Sequence, residues 1–204
     1  RRPRENPWGF MNLGLWACWV FRPFPDPHEP PILRAAGALQ ESAGVAEQLG
    51  DARTLSFALG HLGHVYESEQ RLNEALSFTR RAIFSAQSVD APESLYRWQW
   101  QLGRQLAATG KLDEAIASYR QATVTLQPIR PAVAVAAAES SWLDEDPLRP
   151  LFFEHADLPL QRASLTEDQP VATPDLLAAR YAIVAYKAAD LPDYFNDECV
   201  AALQ

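Results

Sequence analysis

The dipeptide Leu62-Gly63 returns as Leu102-Gly103, 40 residues further on, and from each glycine an alanine falls at +12 and another at +19. These alanines are Ala75 and Ala82 after the first glycine and Ala115 and Ala122 after the second. Tyr66 accompanies the first copy; Leu106, Gly110 and Tyr119 accompany the second. Side chains of minimal bulk at a fixed interval mark places where helices approach closely. A chain with this period is a series of helix-turn-helix units, each of which buries its apolar face only against its neighbours. Chains of this kind work by presenting a surface.

Proline placement delimits the helical region. Seven of the sixteen prolines precede residue 32, eight lie from Pro128 onward, and only Pro92 lies between. Proline lacks a backbone N–H and clashes with the preceding turn, so 32–91 and 93–127 are free to be helical. The spacing predicts a helix over 32–49 ended by Gly50, then one over 52–68 capped by Asp51, with Leu55, Leu59, Leu62 and Tyr66 on one face. Helices over 72–89, 93–109 and 112–127 follow, with Pro92 suited to a first turn and Gly110 to a helix end. Residues 129–150 read as a Pro- and Ala-rich joint with the acidic cluster Asp144-Glu145-Asp146. Helices over 151–163 and 174–189, with Thr173 as a cap, and a short one over 194–203 complete the expectation. No stretch alternates as a strand would. The expected fold is all-α, a right-handed superhelical stack of helix-turn-helix repeats ending in capping or joining helices.

The first 31 residues read as a Pro-rich, poorly ordered leader. Arg1, Arg2 and Arg4 precede an apolar run from Trp8 to Phe21, short for a membrane span. It has the outline of a signal-peptide core, but Trp16, Cys18 and Trp19 suit that poorly. Packing on the first helix and membrane contact are the other readings. Two distant cysteines, Cys18 and Cys199, give no disulfide framework, so a reducing, cytoplasmic setting is expected. A net charge of −8 argues against nucleic acid or an anionic membrane as partner. The charge is uneven: 32–128 carries ten acids against nine bases, whereas 151–204 carries nine acids against three.

Leu62, Gly63, Tyr66, Ala75 and Ala82, followed by Leu102, Gly103, Gly110, Ala115, Tyr119 and Ala122, resemble the tetratricopeptide repeat. Such a repeat spans about 34 residues. The 40-residue spacing therefore predicts a longer turn between units, near Ser88 to Glu93. The resemblance implies a half repeat over 32–49 and full repeats over 52–89 and 93–127, followed by the joint 129–150 and a helical segment 151–204. It also implies that the first helix of each unit lines a peptide groove. The groove candidates are Phe57, His61, His64 and Glu67 in one unit and Arg97, Trp100, Gln101 and Arg104 in the next. Arg97, Arg104 and Trp100 would suit an acidic or carboxylate-bearing peptide. Their alternative is a merely solvated face. Gln70 stands where the second unit has Gly110, a departure that costs up to about 1 kcal/mol.

A second resemblance rests on Pro128-Ile129-Arg130, Pro150 to Leu158, Leu177-Ala178-Ala179-Arg180 and Leu191 to Cys199. These segments resemble the region joining such repeats to the caspase-like peptidase domain of CHAT-family proteins. The resemblance implies that a His-Cys dyad would lie downstream. Nothing here matches it: Cys199 is flanked by Asp197 and Glu198, which raise a thiol pKa, and His155 brings no orienting carboxylate. His61, His64 and Glu67 share a helix face from which a metal site could be drawn, but a polar groove needs no further ligand. The chain is thus expected to be a protein- or peptide-binding scaffold, not itself an enzyme, without cofactor or metal. The alternative is the non-catalytic fragment of a CHAT-type cysteine peptidase.

Overall fold

The computed structural model describes residues 31–140, 146, 148–164 and 169–188. The leader 1–30, the Asp144-Glu145 pair, the 194–203 helix, Cys18 and Cys199 all lie outside the described residues. Those described are all-helical: α1 (Pro31–Leu49), α2 (Ala52–Ser68), α3 (Leu72–Ser88), α4 (Pro92–Ala108), α5 (Leu112–Leu126), a 3-10 turn (Gln127–Ile129), α6 (Arg130–Ser140), α7 (Arg149–Ser164) and α8 (Gln169–Lys187). Helices from α1 to α5 pack in chain order, α7 lies on α5, and α8 lies on α7. Among the described residues no helix is long and apolar enough to cross a membrane.

The turns share one geometry. Gly50, Gln70, Asp90 and Gly110 all have positive φ (68, 59, 47 and 78°). The following residue then donates its N–H back over the helix end, as Asp51 N to Ala46 O at 2.9 Å and Lys111 N to Leu106 O at 3.0 Å. This pattern satisfies helix-terminal carbonyls in a left-handed cap. Left-handed residues therefore recur every 20 positions. The turn between units, Val89 to Ala91, is no longer than those within units, contrary to the sequence expectation. The added length lies in the helices, 17 residues each for α2, α3 and α4. Asp51 caps α2, its carboxylate accepting from Thr54 N at 3.0 Å and Thr54 Oγ1 at 2.6 Å, and these bonds hold its pKa below the ordinary carboxylate value.

Close approach follows from small residues. Ala75, Ala82, Ala115 and Ala122 are fully buried, with Leu62 and Tyr119 nearly so. A Cβ on Gly63 would meet Thr79 Oγ1 at 2.4 Å, and one on Gly103 would meet the Tyr119 ring at 2.5 Å. Tyr66 stacks on Phe78 with centroids 5.1 Å apart. The core forms two principal clusters. One gathers Leu59, Leu62, Ala82 and Trp98; the other gathers Tyr96, Leu106, Tyr119, Leu126, Leu151 and Phe152.

Two C-terminal expectations change. Residues 130–140 of the expected joint are helical: Pro131 occupies the first turn of α6, where no N–H is needed. Likewise α8 begins at Gln169 and runs through Pro174, so Thr173 does not cap it.

Candidate peptide-binding cleft

The sequence candidates lie on the facing flanks of α2 and α4. Phe57 stacks on His61 at 6.5 Å, and the edge of Trp98 meets the His61 ring at 5.3 Å. Trp98 is buried and donates its indole N–H to Ser56 Oγ at 3.0 Å. Trp100, about 200° further round the same helix, is half-buried. One of the two tryptophans is thus core and the other borders the surface. One turn on, Gln101 is buried, donating to Gly60 O at 2.9 Å and Thr79 Oγ1 at 2.8 Å. Gln101 therefore staples α2, α3 and α4 from the inner wall. Arg104 pairs with Glu67 at 3.1 Å, and Gln105 donates to the other Glu67 oxygen at 3.2 Å. Glu67 is consumed by these partners. His64 remains exposed. Among the described residues no group of three His, Cys, Asp or Glu could hold a metal ion.

A cleft of about 760 Å³ opens between α4 and α6. Its α4 wall carries Arg97, Trp100, Gln101 and Arg104, with Tyr96, Trp98 and Glu93, whose carboxylate is paired with Arg53; the other wall is Ile129, Ala132, Val133, Ala136 and Leu148. Phe57, His61, His64 and Glu67 do not line it; they continue the same surface across α2. The apolar wall carries no repeat signal, because α6 lies outside the 40-residue period.

Arg97 is the exposed cation of this cleft. It makes no ion pair among the described residues, its Nε lying 3.3 Å from the Tyr96 hydroxyl. His61 is exposed overall, but partial desolvation, and then the neighbouring His64 and Arg97, holds its pKa below the ordinary value. The Arg104 guanidinium lies 5.2 Å from the Trp100 ring centroid, a cation–π distance. At the floor, Trp100 donates its indole N–H to Glu154 of α7 at 2.6 Å, and the Tyr119 hydroxyl donates to the same Glu154 oxygen at 2.8 Å. Burial and this carboxylate push the Tyr119 phenol pKa upward. The arrangement thus offers a cationic side chain and an aromatic face opposite an aliphatic wall. It can hold an extended segment bearing carboxylates and apolar side chains. His155, the other candidate for chemistry, is buried against Tyr119 at 6.1 Å, and its Nδ1 has no hydrogen-bond partner among the described residues.

No protein-family model matches the chain, and no curated protein matches it.

Proposed function

We propose that this chain is a tetratricopeptide-like scaffold, a right-handed superhelical stack that binds an acidic segment of a protein partner in the α4–α6 cleft. The single observation carrying this reading is Arg97, exposed and without a carboxylate partner among the described residues, on the wall opposite an aliphatic surface. The chain contributes recognition, not catalysis; peptide hydrolysis abolished by Cys199→Ala would overturn that part. Arg97→Glu is the test of the cleft. A hydrogen bond to a charged group is worth about 1.5–3 kcal/mol, so the affinity for a fluorescent acidic peptide should fall about tenfold or more. Its melting temperature should stay put, because Arg97 is exposed and makes no ion pair among the described residues. Undiminished affinity removes the cleft. Arg104→Glu is a poorer probe, since it breaks the pair with Glu67.

One observation favours a second reading. On α8, Leu177, Tyr181 and Val184 are 57, 68 and 51% exposed at helical spacing. A domain attached beyond this helix would cover that stripe, as expected of the arm of a CHAT-type peptidase. Reading the gene past Gln204 tests it: a His-Gly strand and a later cysteine support the arm, and an immediate stop removes it.

A further inference from the structure

The 40-residue period shapes the side of the helices that faces away from the cleft. A groove of about 390 Å³ lies between α1 and α3 over α2, and another of about 430 Å³ lies between α3 and α5 over α4. The residues lining the first return, each 40 positions later, as the residues lining the second. Leu55 and Leu95 are the half-buried floors. Phe84 and Val124, 74 and 66% exposed, form one rim, and Arg80 and Arg120 stand one helix turn before them. Leu95 and Gln99 lie about half a turn round α4 from Arg97 and Arg104, so these grooves and the cleft open on opposite sides.

What the grooves share, and where they differ, separates packing from recognition. In the first, Arg81 pairs with Glu47 of α1 at 2.9 Å. In the second, both members of that pair are replaced together, by Gln121 and Gln87. Arg80 and Arg120 recur unchanged. Both are exposed, and neither makes an ion pair among the described residues. The sole carboxylate in either lining is Glu47, which Arg81 holds. Each groove thus sets an arginine, suited to a carboxylate, beside an apolar rim over a leucine floor. Exposed apolar surface next to uncompensated charge of one sign fits a ligand of the opposite sign.

We propose that this side of the stack is a second docking surface, a two-rung ladder for a partner segment that presents an acidic and an apolar residue twice, one pair to each groove. It does not depend on the cleft. Seating both pairs at once raises affinity through effective concentration, with no contact beyond those that each pair makes alone.

The test uses the full chain carrying Arg97→Glu, so that the cleft cannot answer for the grooves. The probes are fluorescein-labelled peptides holding one Glu-Leu pair, or two pairs joined by a Gly-Ser linker, with affinity read by anisotropy. The two-pair peptide should bind about tenfold tighter or more. Arg80→Glu and Arg120→Glu, each alone, should bring it down to the one-pair affinity, and together they should abolish binding of both peptides. Arg80→Gln and Arg120→Gln, which remove charge without reversing it, should weaken the two-pair peptide in the same sense. Equal affinity of the two peptides overturns the ladder. So does a two-pair advantage that survives the arginine substitutions, or one that a Lys-Leu version of the peptide reproduces.

Discussion

Seven glycines lie in the described part of the chain, and what each would meet separates structural from incidental ones. Gly60 faces Trp98, whose ring would sit 2.2 Å from an added Cβ, and Gly63 faces Thr79 and Gln101. Gly37 and Gly44 have nothing within 4 Å. In an exposed helix Gly→Ala gains up to about 1 kcal/mol from propensity. At Gly60 or Gly63 that gain is outweighed by overpacking, which costs about 1–3 kcal/mol. Gly60→Ala and Gly63→Ala should therefore lower the urea midpoint, whereas Gly37→Ala and Gly44→Ala should raise it. Equal signs at all four would remove the close-approach argument. Gly63 was legible because Gly103 repeats it. Gly60 was not: its counterpart 40 positions on is Trp100. Here the two units differ, and a period carries no information about a position it does not share. The buried Ser56, which joins α2 to Ala82 O and Trp98, was silent for the same reason.

Between helices, the seam of α7 with α4 and α5 is polar at its centre. Glu154 gathers Trp100 and Tyr119, while Arg162 joins Asp175 of α8 to Asp113 of α5. Asp175 is buried, and its bond to Arg162 holds its pKa below the ordinary value. His155 beside Glu154 is the acid-sensitive member. Burial, assisted by Arg120, pushes its pKa from 6.5 down to about 4. The unfolded chain takes up that proton near 6.5, whereas the folded chain resists it until about 4. Stability is thus fully present above pH 6.5 and declines as the pH falls toward 4, by at most about 1.4 kcal/mol per pH unit. His155→Phe keeps the ring on Tyr119 and removes the titration. Urea unfolding at pH 7.5 and 5 should show a smaller loss for the variant than for the parent; an equal loss clears His155. The helices α1 to α5 were legible from periodicity, since each buries one face. α6 was not, for two reasons. Pro131 looked like a breaker although a first turn tolerates it, and the run Ala132 to Ala138 is apolar on every side, so it has no face to detect.

Across all the described residues, burial is graded. α6 has only Arg130 and Val133 partly buried among its described side chains, the rest being exposed. Helices with few buried apolar contacts open first. Hydrogen exchange should therefore find α6 the fastest of these helices and α2 to α5 the slowest, and an acidic peptide in the cleft should slow α6. Exchange in α6 as slow as in α4 would contradict the loose packing described above. The even cadence of left-handed turns at Gly50, Gln70, Asp90 and Gly110 makes contacts mainly between neighbours. A stack of that kind could in principle come apart unit by unit. One helix prevents a clean division. α4 gives Trp98 to the first core cluster and Tyr96 and Leu106 to the second. It is the splice between two ropes. Under tension applied at the two ends, force must pass through α4, and the strands on either side part together in a single rupture.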